Sequence, residues 1–393
     1  MNRNVYLLAL CQALLTTGNI LLVAVNALVG KSLTDTPALI TLPVAVQFIG
    51  LMMTTIPASL IMARIGRKRG FMLGNVVGIV GAVLAVAALY TQQFALYCLS
   101  TFLIGIGIGF GTLYRFAVME VCDEAMRNKA VSMVMGSGIL AAFLGPGLAI
   151  VSRRWWPGEG FEGAFVGLML LYVLALVLLS LVSVPEGQAG ATSSGRTTAQ
   201  LLRQPRYLAA VLSGMISYGV MVLVMTATPL AMQVCNFSFD QSAQVIQWHI
   251  LAMFAPSFFT GRLMDRYGVL PMMMFGALFL LAAVCLNLQG QAIVHFTAAL
   301  VLLGIGWNLM FIGATRYLTE CYRPEEKARA QACNEFLVFS VVAVASLASG
   351  WLQNTLGWYG VNVWMIPFLI VGLLILSLIQ WSTQRQATAE VAE

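Results

Sequence analysis

The same short pattern occurs twice in this chain. Residues 261–268 read GRLMDRYG, and residues 59–68 read SLIMARIGRK. Arg266 of one copy corresponds to Arg64 of the other, at an offset of 202 residues. Both copies lie between long apolar runs, and their glycines suit the tight turn that two adjacent helices need. The pattern therefore predicts a duplicated unit built from helices.

The composition around these copies indicates a membrane protein. Of the 393 residues, 60% are hydrophobic and only 9% are charged, against about 45–50% and about 25% in soluble domains. The mean hydropathy is +0.88. So few charges cannot cover a soluble globule of this size, which excludes a cytosolic enzyme, a disordered chain and a nucleic-acid-binding protein. We expect an all-α protein with the lipid bilayer as its surroundings and no nucleic acid as partner.

The apolar runs predict twelve transmembrane helices in two pseudo-symmetric six-helix bundles. One crossing needs about 20 apolar residues, and an even number of crossings places both termini on one side. The predicted spans are residues 5–29, 38–62, 70–89, 94–116, 131–151, 163–184, 207–231, 243–264, 272–288, 294–317, 331–353 and 362–382.

The basic residues predict the orientation. Every Lys and Arg falls on the side of the termini, except Lys31, Arg153 and Arg154. Since Lys and Arg accumulate in cytoplasmic loops, both termini should be cytoplasmic in a bacterial-type inner (plasma) membrane.

The chain divides near its midpoint. Residues 185–206 are small and polar, as in a flexible linker, between an N-terminal bundle (1–184) and a C-terminal bundle (207–393). The Gly-Ile-Gly segments at 105–107 and 304–306 repeat at an offset of 199 residues. Such internal repeats are typical of transporters, in which a site between the halves is exposed to each face in turn. Because one chain holds both halves, we expect a functional monomer.

These features resemble the major facilitator superfamily over essentially the whole chain. Its loop pattern, G-x-x-x-D-R-x-G-[RK]-[RK], occurs between spans 2 and 3 and again between spans 8 and 9; in the first copy here Ala63 and Ser59 replace the acid and the leading glycine. The resemblance implies that the acid faces a helix end in the other half and closes the cytoplasmic side, and we hypothesise that Glu335 partly replaces the missing acid. The gating residues are then Arg64, Gly66, Arg67, Gly261, Asp265, Arg266 and Gly268.

Span 5 carries a partial glycine-proline motif. It resembles the motif of the drug and metabolite exporters of the superfamily, and this resemblance implies export by proton antiport. Small residues also let helices pack closely, so packing is the alternative interpretation. The exporters tend to carry an Arg in span 4 where this chain has Thr101, which weakens the export interpretation. The motif residues are Gly138, Gly145, Pro146 and Gly147.

Polar groups inside spans are the candidates for substrate binding, because they are costly in a membrane. No Lys or Arg lies near a span centre, which predicts a neutral, zwitterionic or weakly charged organic solute. Each polar group could instead join two helices by a hydrogen bond. The candidates are Asn19, Asn26, Gln47, Tyr218, Gln247, Trp248, His249, Trp307 and Asn308.

Proton coupling would need a group that titrates in the physiological range. His249 and Glu335 are the candidates, with a core histidine and a helix-end acid as the alternative interpretations. No metal-ligand cluster or phosphate loop occurs, so we expect no metal and no cofactor.

Three functions follow from this sequence. The first is a secondary transporter that exports a small organic solute by proton antiport. The second is an importer of an organic nutrient such as a vitamin, by symport or uniport. The third, a remote alternative, is an intramembrane enzyme or sensor.

Overall fold

The structure, a computed structural model, describes residues 3–114, 117–118, 121–122, 127–155, 160–183 and 195–392. Residues 184–194, which include the first ten residues of the predicted linker, lie outside this set. The described part is helical. Its helices are Arg3–Leu33, Leu42–Ile65, Arg67–Thr91, Phe94–Gly111, Arg127–Arg153, Glu162–Ser180, Thr198–Leu202, Pro205–Val234, Phe239–Phe254, Ser257–Tyr267, Val269–Asn287, Ile293–Thr319 and Lys327–Ala392, with 3₁₀ turns at Pro37–Leu39 and Pro324–Glu326.

Ten of the described helices are long and apolar enough to cross a membrane. The count corresponds to twelve crossings for two reasons. Span 8 consists of two shorter helices that meet at Ala255 and Pro256. Spans 11 and 12 form one helix of 66 residues that is interrupted at Gly357, where φ is 66°. The twelve predicted spans are therefore confirmed, with helix ends that differ by a few residues, but the break inside span 8 was not predicted.

Two large apolar cores hold the helices together. One contains buried residues from Val5 to Val182. The other runs mainly from Leu201 to Leu376 and takes in Ile20, Val44, Phe48 and two alanines of the first half. Each half thus packs around its own core, and the second core extends into the interface between the halves.

The repeated loops form the same turn. Gly66, between spans 2 and 3, has φ 87° and ψ 152°, and Gly268, between spans 8 and 9, has φ 90° and ψ 154°. Each glycine N–H donates to the carbonyl four residues earlier, at 2.9 Å in both copies. The sequence repeat is therefore also a structural repeat. We call the face that holds these two turns the basic face.

The two halves meet tightly at the face opposite to these turns. Span 1 is buried at every residue from Ala24 to Gly30, and span 7 at every residue from Gly219 to Met232. Nearer the basic face both spans have partly exposed positions, which end at Val23 in span 1 and at Tyr218 in span 7. A lipid-facing stripe would continue along the whole helix. The exposed stripes therefore line a cleft that is closed at the opposite face and opens toward the basic face.

Polar and ionic contacts between the halves reinforce this closure. Thr41 donates to the carbonyl of Leu347 at 3.0 Å and accepts from the N–H of Gly350 at 3.1 Å. Lys31 donates to Gln233 at 3.0 Å. We call these contacts, together with two around Arg153 and Arg154, the sealing contacts.

Arg153 and Arg154 add cation–π contacts and a salt bridge to the sealing contacts. The Arg153 guanidinium lies 5.0 Å from the ring centroid of Phe161 in the first half and 4.5 Å from that of Phe239 in the second. Arg154 pairs with Asp240 at 3.4 Å. The Arg153–Phe239 and Arg154–Asp240 contacts join the two halves at the closed face.

Candidate substrate site

A chain of polar side chains crosses the first half near its closed end. Tyr97 donates to Asn26 Oδ1 at 2.8 Å. Asn26 donates to Gln47 Oε1 at 2.7 Å, and Gln47 donates to Asn19 Oδ1 at 3.0 Å. Three of the predicted candidates thus form one network, which joins spans 1, 2 and 4.

Only one end of this network reaches the cleft. Tyr97, Asn26 and Gln47 are at most 3% exposed, whereas Asn19 is partly exposed at the midpoint of span 1. Asn19 lies on the partly exposed stripe of that span, one turn before the fully buried stretch begins. It is therefore the member of the network that a substrate in the cleft would meet.

The second half presents an aromatic cluster at the same depth. Tyr218 of span 7 lies 5.5 Å from Trp307, 5.1 Å from Phe311 and 5.8 Å from Phe339, measured between ring centroids. Trp307 and Phe311 are stacked, with centroids 5.0 Å apart and planes 16° apart. Spans 7, 10 and 11 thus bring four rings together. The indole N–H of Trp307 is buried and has no acceptor among the described residues.

The network and the cluster face the same cleft. Phe339 packs against the cores of both halves, so the cluster lies at their interface. Tyr218, like Asn19, is the last partly exposed polar residue before its span becomes fully buried. The closed end of the cleft is thus lined by an amide on one side and by aromatic rings on the other. A flat ring with polar edges fits this combination, since aromatic pairs stack and amides form directed hydrogen bonds.

Span 8 places its three adjacent candidates in three environments. Gln247 is partly exposed and lies seven residues before Phe254, whose ring would contact any side chain at Gly138 of the first half. Two helical turns separate Gln247 from Phe254, so Gln247 also faces the first half. Trp248 is 51% exposed in the closed part of the molecule, which puts it on the outer perimeter, away from the cleft.

His249 is fully buried against span 10. Its Nδ1 lies 2.7 Å from the carbonyl oxygen of Leu300. Because a carbonyl only accepts, Nδ1 carries the proton and Nε2 of the neutral ring is an acceptor. No described residue donates to Nε2. In this state the ring packs inside the second half and does not reach the cleft.

Asn308 holds span 8 together at its break. It donates to the carbonyl of Met253 and to Ser257 Oγ, both at 2.6 Å. It accepts from Thr260 at 2.6 Å. The Asn308 side chain is fully buried, and both the oxygen and the nitrogen of its amide already make hydrogen bonds. In this structure Asn308 therefore joins spans 8 and 10 and does not face the cleft.

The gating residues make local contacts on the basic face. Asp265 pairs with Arg316 at the end of span 10, at 2.7 Å, and both belong to the second half. The Arg266 guanidinium lies 5.3 Å from the ring centroid of Tyr267. The contact between halves that the family resemblance implies for the acid thus stays a prediction for another state. Glu335 is partly exposed in span 11.

The glycine-proline motif of span 5 lies in packed surroundings. A Cβ on Gly145 would lie 2.7 Å from Ile20 of span 1, and a Cβ on Gly138 would lie 2.7 Å from Phe254 of span 8. Pro146 is inside the helix, and nothing lies near the Cβ position of Gly147. Close helix packing therefore accounts for two of the three glycines, one within a half and one between halves.

Sequence reasoning missed three residues of this site. Tyr97, Phe311 and Phe339 were not singled out, because a tyrosine or phenylalanine inside a span is ordinary in a chain that is 10% aromatic. The spacing of four residues between Trp307 and Phe311 places both on one helix face and was the available signal.

Two similar helical bundles with a lined cleft between them define the class of multi-pass membrane transporters built from repeats. The family model of the Major Facilitator Superfamily matches residues 8–255 and 210–392. The chain is 38% identical over 391 residues to the riboflavin transporter RfnT of Brucella anthropi, covering 99% of this chain and 98% of that protein. It is 26% identical over 380 residues to the uncharacterized MFS-type transporter YdeG of Bacillus subtilis, covering 92% and 88%.

Solved structures show the same fold. The xylose transporter XylE from E. coli, in a partially occluded inward open conformation, superposes with a TM-score of 0.72 at 16% identity, covering 97% of this chain and 98% of that one. The human organic anion transporter MFSD10 gives 0.67 at 15% identity, covering 95% and 99%. The chain belongs to the Major Facilitator Superfamily. It is a transporter and not an enzyme.

Proposed function

We propose that this chain transports riboflavin, or a planar heteroaromatic vitamin of similar shape, by alternating access and in the direction of uptake. The observation that carries the proposal is the closed end of the cleft, where the partly exposed stripe of span 1 presents Asn19 and that of span 7 ends at Tyr218, packed on Phe311. The likeness to a riboflavin transporter over 99% of the chain supports the same solute.

The charges of the described spans also favour this solute. Their Lys and Arg side chains lie near helix ends, so the cleft offers no cation at its centre for a phosphorylated compound. Riboflavin is neutral, and its tricyclic ring carries carbonyl oxygens and ring nitrogens that accept hydrogen bonds. Each stacked aromatic contact contributes roughly 0.5–1.5 kcal/mol beyond the area it buries.

Uptake fits these observations better than the export suggested by span 5. The motif glycines Gly138 and Gly145 are accounted for by contacts with Phe254 and Ile20. They therefore need no further explanation from an export mechanism, and a vitamin-like solute matches the importer alternative.

We infer the orientation from the charges and a candidate for proton coupling from side-chain exposure. The basic face is proposed to be cytoplasmic in a bacterial inner membrane, because Lys and Arg accumulate there. The cleft of this state then opens to the cytoplasm. Glu335 is the titratable candidate to test first for proton coupling, since it is partly exposed whereas His249 is sealed from the cleft.

Uptake of labelled riboflavin tests the proposal in a bacterial strain that lacks riboflavin synthesis and its own flavin uptake. Cells that express the chain should retain more label and grow at lower riboflavin concentrations. Equal retention would refute riboflavin as the solute, and lower retention would refute the direction. Loss of accumulation on collapse of the proton gradient, or in Glu335→Gln, would support coupling.

A pair of tyrosines tests the aromatic site itself. Tyr218→Leu should raise the KM for riboflavin about tenfold, the equivalent of about 1.4 kcal/mol of lost binding. Tyr359→Leu is the matched control, because Tyr359 is 63% exposed and lies in the helix segment after Gly357, just before the predicted span 12. Equal KM values for the two variants would argue against binding at the aromatic cluster.

A further inference from the structure

The hydrogen bonds of the polar network in the first half all run one way, each donated from the Tyr97 end toward Asn19. Reversing the amides of Asn26, Gln47 and Asn19 together would preserve the two contacts between them, because each amide carries a donor at one end and an acceptor at the other. The reversal would, however, turn the amide nitrogen of Asn26 toward the hydroxyl of Tyr97. The position of the phenol proton therefore decides between the two arrangements.

Tyr97 fixes that choice. Its side chain is fully buried, and Asn26 Oδ1 is the one acceptor that the described residues offer to its hydroxyl. In the reversed arrangement the hydroxyl proton would be buried without an acceptor, and an unmet buried donor is costly. The phenol must therefore donate to Asn26. This donation fixes the orientation of the Asn26 amide, which fixes that of Gln47 and then that of Asn19.

The consequence appears at the cleft. The Oδ1 of Asn19 is occupied by Gln47, and its amide nitrogen has no acceptor among the described residues. We propose that Tyr97 is a positioning residue that makes Asn19 present N–H donors to the cleft, and that these donors bind a carbonyl oxygen or ring nitrogen of the flat substrate. This inference rests on the proposed function and adds the atoms by which the ring edge is recognised.

The arrangement also gives selectivity. A ring edge that carries an acceptor is bound, whereas an edge that carries an amino group places two donors against each other. Tyr97 lies near the closed face and Asn19 at the midpoint of span 1, so Tyr97 acts through Asn26 and Gln47 and never touches the substrate itself.

Tyr97→Phe tests the inference, since it removes one oxygen and leaves the ring packed against Phe165. Without the hydroxyl neither orientation of the amides in the network is preferred, so Asn19 presents its N–H donors to the cleft only part of the time. We expect the KM for riboflavin to rise about twofold, because the binding-competent direction is then populated about half of the time, with the maximal rate unchanged. The matched control is Tyr172→Phe, a buried tyrosine of the same half whose hydroxyl makes no hydrogen bond with the described residues.

A second readout separates positioning from a merely structural role. Competition should be measured with flavin analogues in which an amino group replaces one or the other ring carbonyl. The wild type should discriminate against one analogue, and Tyr97→Phe should reduce that discrimination while Tyr172→Phe keeps it. Unchanged KM and unchanged discrimination in Tyr97→Phe would overturn the inference alone. Absence of riboflavin uptake by the wild type would overturn the proposed function and this inference with it.

Discussion

Single glycines set the geometry of the two repeated turns. Gly66 and Gly268 have φ near 90° with ψ near 150°, a region that residues with a Cβ occupy only at a cost of about 1–3 kcal/mol. Gly66→Ala and Gly268→Ala should each lower the free energy of unfolding by that amount, seen as a lower thermal midpoint of the purified protein. The cost is conformational, because no atom lies within 4 Å of the Cβ position at Gly66.

Gly261 is the matched control from the same loop pattern. It also has open space at its Cβ position, but it lies inside a helix, Ser257–Tyr267. Since alanine is favoured over glycine there, Gly261→Ala should leave the midpoint unchanged or raise it. A fall equal to that of Gly268→Ala would show that the positive φ is not the cause.

At this scale the sequence predicts residue types better than contacts. The turn glycines follow from the repeated pattern, since few other residues allow that backbone. The partners of Asn26 and Asn308 do not follow from it. Asn26 joins the network that ends in the cleft, whereas the amide groups of Asn308 are engaged in hydrogen bonds at the break in span 8. Both are asparagines inside spans, and only the packing of neighbouring helices distinguishes their roles.

The break in span 8 is the element that depends most on one side chain. Pro256 lacks an N–H and interrupts the helix, and Asn308 of span 10 supplies a donor to the carbonyl of Met253 before the break. Asn308→Leu should destabilise the protein by roughly 1–3 kcal/mol, because buried partners lose their hydrogen bonds. Thermal unfolding checks this against Asn354→Leu, which changes an exposed asparagine. Equal thermal midpoints for the two variants would show that Asn308 does not stabilise the break in span 8.

The middle of the predicted linker is a second element held by specific side chains, among them Arg329, which donates to the carbonyls of Gly195 and Arg196. Arg196 donates through two nitrogens to the buried carboxylate of Glu326, at 2.6 and 2.8 Å. The hydrogen bonds from the Arg196 side chain, and then from the backbone N–H of Arg323, hold the pKa of Glu326 well below its ordinary value. This part of the predicted linker is thereby docked on the loop between spans 10 and 11.

Glu326→Gln should loosen this segment, which Arg329 still contacts, and speed tryptic cleavage at Arg196. Docking lowers the pKa of Glu326. The stabilisation of the docked segment by the ionised carboxylate is therefore complete above the ordinary pKa of about 4.3, and it is lost only as the pH falls through the lowered pKa. Wild-type cleavage should therefore not change with pH between 5 and 8 once trypsin activity is normalised. The control Glu325→Gln removes the same charge from an exposed neighbour, and equally fast cleavage in both variants would contradict docking through Glu326.

At the scale of the whole molecule, the sequence predicts the architecture but not the state. Hydropathy and the loop repeat are enough for twelve crossings in two halves, because each helix must satisfy its own backbone in lipid. Under the proposed alternating access, which face is closed depends on a balance between two packings of the same residues. The burial of span 1 from Ala24 to Gly30 is a property of this packing, and in the alternate state these residues would line the cleft.

Transport should stop if the closed face is held shut. Lys31 and Gln233 belong to different halves and meet at 3.0 Å among the sealing contacts. In a background with the seven native cysteines replaced, the pair Lys31→Cys and Gln233→Cys should be joined by a bifunctional thiol reagent with a reducible link. Uptake should fall to the background level and return on reduction, whereas either single variant should be insensitive to the reagent. Because alternating access requires these two residues to separate once per cycle, full uptake by the cross-linked protein would mean that the solute crosses without opening this face.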